Sequence, residues 1–187
     1  VLYVRVEGLD EVEEGLGLLQ RGLTPAGIRH VMQDFGVVIE SSIARAFRTE
    51  TAPEIVADVG RATAAAGRAW VPLAEGTLAA RRGGGGGARA LQDTRRMQQS
   101  VTSVVRGLSV EVGAGTEQSP WQHGGTGPHT IRPVNVSLLR FVTAAGVVFA
   151  REVHHPGIPA RPFVGMNRAD IRTMLQMLIR HFEVVMG

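Results

Sequence analysis

From Ile28 to Phe47 an apolar side chain recurs every three or four residues: Ile28, Val31, Met32, Phe35, Val38, Ile39, Ile43 and Phe47. Only an α-helix puts such positions on one face, so the chain must contain a long amphipathic helix with a core laid against that stripe. Thr24-Pro25 predicts its start, with threonine as the N-cap and proline at the first helical position, and the helix is expected over 25–49. Gly27 and Gly36 each weaken it by about 1 kcal/mol relative to alanine, unless a close packing contact offsets the loss. A second stripe closes the chain: Ile171, Met174, Leu175, Leu178, Ile179 and Phe182. Asn167 stands before it as an N-cap, Asp170 completes an approximate capping box, and Met166 is placed to staple onto Ile171.

Elsewhere the period changes. Leu2, Val4 and Val6 alternate with Tyr3, Arg5 and Glu7, the pattern of a half-buried strand, and Asp10 to Gly17 reads as a turn or a short irregular helix. Residues 53–68 are Ala-rich and are expected as a second, shorter helix after Pro53. Residues 101–112 alternate around Arg106-Gly107 and read as a hairpin. Leu138–Val142 and Val147–Val153, joined by Thr143-Ala144-Ala145-Gly146, read as a second. The expected fold is α+β: an antiparallel sheet of about four to five strands packed against a long N-terminal amphipathic helix and a C-terminal helix, with long loop and hairpin arms. No internal repeat is visible.

Two stretches interrupt this plan. Five consecutive glycines, Gly83–Gly87, lie between Arg81-Arg82 and Arg89, so residues of about 74–90 are expected as a mobile Arg/Gly-rich insertion. Residues of about 113–136 are rich in Gly, Pro and His and are expected as an extended loop or arm; loops this long inside a small domain usually carry function. The whole chain, 187 residues, suits a single domain, 1–187, able to bury roughly 70% of its unfolded surface.

Composition removes several chemistries. There is no cysteine, which excludes disulfides, thiolate metal sites and cysteine nucleophiles. All 20 basic residues are arginine, which most simply reflects GC-rich coding and leaves no P-loop lysine or Schiff-base lysine. Arginine does not titrate near pH 10, so a sequence pI near 10.8 stands beside a net charge of only +3 and overstates the case for nucleic-acid binding. No run is long and apolar enough for a membrane span, and Val1–Glu7 lacks the basic and apolar regions of a signal peptide. His154 and His155 are adjacent and would face opposite ways on a strand, and no His-Glu-x-x-His or His-x-His occurs, so no metal is expected. No serine sits in a Gly-x-Ser-x-Gly turn, and no catalytic residue or cofactor site is expected.

Three stretches, in order, resemble the phage virion morphogenesis (tail completion) family and the wider group of small neck and tail-joining proteins. The first is Trp70-Val-Pro-Leu73 with Thr77, Arg81 and Arg82, followed by Leu91-Gln-Asp-Thr-Arg95, Met97 and Ser100-Val101. The second is Trp121-Gln-His-Gly-Gly125, and the third is Ile158-Pro-Ala-Arg-Pro-Phe163-Val-Gly165 before a capped helix, with His155-Pro156-Gly157 just ahead of it. The likeness covers roughly residues 65–187. It departs at Arg95, where the family usually has glycine, at Met97, where it usually has leucine, and in an extended region at 126–150.

The resemblance implies a non-enzymatic virion protein, a tail completion, tail-terminator or neck subunit at the head–tail junction. Such subunits form homo-oligomeric rings, commonly hexameric, that meet the tail tube protein and the head–tail connector, with no membrane involved. Trp70, Leu91, Thr94, Trp121, His123, Arg161, Pro162 and Phe163 are the expected interface residues, with Trp121 and Phe163 equally readable as core. Arg161 is expected to pair with an acid on the same or a neighbouring subunit, and Pro162, lacking a donor, marks an edge or a crossing instead of a central strand. Arg81, Arg82 and Arg89 could meet DNA passing through the lumen by non-specific phosphate contact. A reading from another class is a nucleic-acid-binding module built on the same Arg/Gly segment; a third is a metal-dependent hydrolase.

Overall fold

The structure is a computed structural model that describes residues 17–18, 20, 22, 24, 26–81, 89–143 and 146–186. The expected strand Val1–Glu7, most of the Asp10–Gly17 segment, Arg82 and the glycine run lie outside the described residues. In chain order the elements are α1 (Arg29–Thr49), β1 (Ile55–Val56), α2 (Glu75–Ala80), α3 (Arg96–Gln99), β2 (Val101–Arg106), β3 (Ser109–Ala114), α4 (Ser119–Gly124), β4 (His129–Ile131), β5 (Leu139–Thr143), β6 (Gly146–Ala150), β7 (Val153–His155), β8 (Gly165–Met166) and α5 (Arg168–Met186).

Helix α1 is the central element, packed against the β2–β3 ribbon, against α5 and against β8. It begins four residues later than the sequence predicts, because a turn at 26–28 comes first, with the Gly27 N–H donating to Thr24 Oγ1 at 3.1 Å. Every residue of the expected stripe is buried or half-buried. Its first half, Ile28, Val31 and Met32, makes a small cluster with Phe35, Val105 and Leu178. Its second half carries the main core: Ile43 and Phe47 meet Trp70 and Phe163, with Phe47 and Phe163 fully enclosed and 5.2 Å apart between ring centroids. Burying one such phenylalanine contributes roughly 1.5–3 kcal/mol.

The strands pair two by two into antiparallel ribbons, β1 with β8, β2 with β3, β4 with β7 and β5 with β6, where the sequence suggested one sheet of four to five strands. The strands are two to six residues long, and each ribbon is fixed by its own connections. The first hairpin turns at Gly107-Leu108, in register Val105↔Val110. The run expected as one strand from Val147 to Val153 divides after Ala150. Its first part pairs back onto β5 and its second part, β7, pairs with β4. Between them Glu152 is drawn aside by Arg132, at 2.7 Å, and His154, at 3.2 Å. The stretch 113–136 is more ordered than expected, since it holds the end of β3, all of α4 and β4.

The expected helix at 53–68 does not form. Its backbone donors go to distant partners instead: Ala57 N to Val164 O, Arg61 N to Gly124 O and Gly67 N to Pro53 O, each at 2.8–3.0 Å. Only a 3₁₀ turn at Thr63–Ala65 remains. Alanine content favoured a helix, and tertiary hydrogen bonding overrode it.

Helix α5 starts with half of the predicted capping box. The Asp170 carboxylate accepts from the Asn167 N–H at 2.7 Å, but the Asn167 side chain turns away to accept from the Glu54 N–H at 3.0 Å. The Glu54 carboxylate in turn accepts from the Arg168 N–H at 3.0 Å, so the helix start is tied to the strand beside it. Asp170 also joins Arg45 of α1 at 3.3 Å. Burial raises the Asp170 pKa, but the Asn167 N–H and the Arg45 guanidinium outweigh it and hold the carboxyl below its ordinary value. Ile171, Met174 and Leu178 face inward, while Leu175 and Ile179 of the same stripe are exposed.

Candidate functional site

The three distinctive sequence stretches, with contacting residues up to 92 positions apart, meet in one knot beside the main core. Trp70 Nε1 donates to the Pro162 carbonyl at 2.9 Å, and its ring stands edge-on to Phe47. Arg161 returns the contact: Nε donates to Val71 O at 2.9 Å and Nη2 to Pro72 O at 3.2 Å. Trp-Val-Pro-Leu and Arg-Pro-Phe therefore recognise each other through one indole and one guanidinium, each aimed at the other's main chain. The guanidinium is buried, and among the described residues of its own subunit no carboxylate closes an ion pair with it. Burial lowers its pKa from the ordinary value, with the Glu50 charge opposing that and Arg81 adding to it. Pro162 lies outside every strand, at the crossing its missing donor required.

The Trp121-Gln-His-Gly-Gly125 stretch supplies the third side. Its residues through Gly124 lie on α4, where successive side chains point to different faces. His123 points in. Its Nδ1 accepts from the Phe163 and Val164 N–H groups at 3.2 and 3.3 Å, so its proton sits on Nε2, which donates to Ala57 O at 3.0 Å. One neutral imidazole thus satisfies three backbone groups from two segments, and burial holds its pKa below 6.5 despite the carbonyl contact that raises it. Gly124 lets the chains close up: a Cβ there would stand 2.6 Å from the Val59 carbonyl oxygen. The Gln122 carbonyl accepts from the Arg161 N–H at 2.9 Å. Trp121 points out and is exposed.

Beside the knot an open groove of about 1230 Å³ is lined by Leu91, Thr94, Arg81 and Arg161, with Asp93 and Glu117. Its walls mix charge and apolar surface, which suits a stretch of protein better than a small apolar ligand. Of the eight expected interface residues, Trp70, His123, Arg161, Pro162 and Phe163 are buried inside the subunit. Their burial assigns them to the internal frame, because a side chain enclosed in its own subunit has no area left to offer a neighbour. Leu91, Thr94 and Trp121 keep exposed surface. Among the lumen candidates, Arg81 donates to Arg89 O at 2.8 Å and lies on the groove wall, Arg89 is exposed, and Arg82 lies outside the described residues.

The hairpin arm expected from the sequence runs from Thr126 to Ile158. The two residues clasp at its base, Thr126 N to Ile158 O and Ile158 N to Thr126 Oγ1, both 2.9 Å. The β4–β7 ribbon forms the stem and the β5–β6 ribbon the outer part, which touches α2. The signal was present: Val147, Val148 and Phe149 are consecutive, so neither face of that strand is polar.

Among the described residues no group of three or more His, Asp or Glu side chains is arranged to hold a metal ion, and no helix is long and apolar enough to cross a membrane. Searches of curated proteins and of solved structures give no match. A family model does match, the phage virion morphogenesis family over residues 8–183, and the chain belongs to that family.

Proposed function

We propose that this phage morphogenesis protein is a tail completion, terminator or neck subunit. It assembles into a ring at the head–tail junction and joins the tail tube protein to the head connector. The single observation that carries this reading is the arm at Thr126–Ile158, clasped at its base and bearing the exposed apolar residues Val147, Val148 and Phe149. A subunit that presents one surface to a neighbour and a different one to the next makes head-to-tail contacts, and such contacts close into a ring when the rotation permits. The burial of the Trp-Val-Pro-Leu and Arg-Pro-Phe residues supports it too, since they hold the presenting surfaces in fixed geometry without themselves touching a partner. In this reading the protein works by position and contact, not by catalysis, and needs no cofactor. Arg81, Arg82 and Arg89 would meet DNA only as a non-specific phosphate contact in the lumen.

The test is the mass and shape of the purified protein, alone and mixed with the tail tube protein of the same particle, by light scattering and negative-stain microscopy. Rings alone, or rings formed at tube ends, are expected. A persistent monomer that ignores the tube and binds DNA with steep salt dependence would replace the ring subunit with a nucleic-acid module on the Arg/Gly segment.

A further inference from the structure

Helix α5 gives one face to the core and leaves an apolar pair outside it. Leu175 is 53% exposed and Ile179 57%. Arg172 and Glu183, one before and one after them, are exposed as well. At 3.6 residues per turn these four side chains fall within an arc of about 80°, along roughly 16 Å of helix. The other charges of the helix are placed elsewhere. Asp170 is buried and held by Arg45 at 3.3 Å. Arg168, at the head of the helix, stands 4.0 Å from Glu54. Arg180 lies about 100° round from Ile179, and its Nε donates to the Gln176 carbonyl of its own helix at 3.4 Å. Neither Arg172 nor Glu183 makes an ion pair with another described residue.

This face is complementary to itself. The midpoint of Arg172 and Glu183 and the midpoint of Leu175 and Ile179 coincide within one residue, level with Met177. A second copy turned through a half-circle about that level therefore lays its Glu183 against Arg172, its Arg172 against Glu183, and apolar pair on apolar pair. Arg168 meets no charge in this arrangement, because its opposite position falls past the helix end at Met186. Helices packed side by side stand roughly 8–10 Å apart, close enough for the charged ends to meet. Like charges at the two ends would repel a second copy, whereas opposite ones attract it and fix its direction. A partner of unrelated sequence has no need of opposite charges equally spaced about an apolar centre.

We propose that α5 pairs with α5 of a second copy of this chain, antiparallel, across a two-fold axis level with Met177. Leu175 and Ile179 form the apolar centre, and an Arg172–Glu183 contact closes each end. A two-fold contact is complete with two copies, so it leaves the head-to-tail surfaces of the ring reading free and does not depend on them. One helix face per copy buries less than the roughly 1,200 Å² at the low end of stable interfaces, so the pair is weak and dissociates on dilution.

The absence of cysteine makes the axis directly readable, because a residue beside a two-fold axis meets its own copy. Ile179→Cys, oxidised as the full chain in concentrated solution, is expected to link into dimers on denaturing gels. Val184→Cys, at a position 83% exposed but about 140° round the same helix, is expected to stay largely unlinked. Adding Arg172→Glu or Glu183→Arg to Ile179→Cys sets like charges together at both ends and is expected to slow linking about tenfold. Adding both puts an opposite pair back at each end and is expected to restore the rate. All four positions are exposed, and circular dichroism with a melting curve verifies that each variant folds. Equal linking at 179 and 184 would mean random collision and would overturn the pairing. Charge reversals without effect, a double reversal that fails to restore the rate, or a folded Ile179→Cys chain that does not link would overturn it too. The ring reading survives each of these results, since rings at tube ends decide it separately.

Discussion

His123 is the residue through which the knot answers to pH. Its Nδ1 can accept the two N–H groups of Phe163 and Val164 only while unprotonated, so the folded state holds the neutral form and its pKa lies below 6.5. The unfolded chain binds the proton more readily, so this contribution is intact above pH 6.5 and is lost as pH falls through the folded pKa. The urea midpoint of the wild type is expected to fall over that interval. His123→Phe is expected to lose roughly 1–3 kcal/mol at neutral pH, from the buried N–H groups left unpaired, and to flatten that part of the profile. An unchanged slope in the variant would assign the acid sensitivity elsewhere. At lower pH Asp170, whose pKa is depressed, contributes a second loss, present above its ordinary 3.8 and removed as pH falls through the folded value. A second residue explains a departure from the family pattern. Arg95, where glycine is usual, has φ 57°, the left-handed region that glycine occupies without strain. Arg95→Gly is therefore expected to stabilise the protein by up to about 1 kcal/mol, read as a raised melting temperature. That tryptophan, histidine and Arg-Pro-Phe stand out was legible at this scale, and the structure brings them into contact. Whether Phe163 packs inward or outward was not, since a motif carries no direction of burial.

At the scale of elements, what could be read from the chain was periodicity, and what could not was partnership. The stripes of α1 and α5 announced both helices, and Gly107 in an alternating run announced the first hairpin. Nothing local told residues 53–68 that Val164, Gly124 and Pro53 would take their backbone hydrogen bonds, or strands β1 to β8 that they would pair in twos. Helix α1 makes the point in energetic terms through Gly36. Glycine costs about 1 kcal/mol in a helix interior, so alanine ought to help. A Cβ at Gly36, however, would stand 2.9 Å from Ser103 Cβ and 2.6 Å from its Oγ, where the helix lies on β2. The hydroxyl can rotate away, but Ser103 Cβ moves only with the strand. Gly36→Ala is expected to destabilise by about 1–3 kcal/mol, as overpacking does. Ser103→Gly in the same chain is expected to recover part of the loss, so a denaturation double-mutant cycle should show favourable coupling between the two substitutions. Additive losses would place the strain outside this contact.

For the whole molecule the arm and the body can be separated as contributions. The body owns the core: Ile43, Phe47, Trp70 and Phe163 all lie outside 126–158. In the outer ribbon Val147, Val148 and Phe149 are exposed and Leu139 and Phe141 only half-buried, so it adds less burial to the folded monomer than the body does. Its stem is already in register, with Ile131 opposite Val153. Replacing residues 132–152 by Asn-Gly would close that ribbon with a two-residue turn whose twist matches the strands. The shortened chain gives up the β5 contact with α2 and the Arg132–Glu152 pair, which is exposed and contributes roughly 0–1 kcal/mol. Its melting temperature is therefore expected to stay close to that of the full chain, while its assembly is lost. Light scattering at matched concentration and calorimetry would read the two effects separately. If the shortened chain still forms rings, the arm does not join the subunits, and the groove beside Leu91 and Thr94 becomes the contact to examine. If it fails to fold, the β5 contact with α2 belongs to the core and outweighs the exposure of β6. A folded, soluble monomer would identify residues 132–152 as the segment whose apolar surface is reserved for another chain.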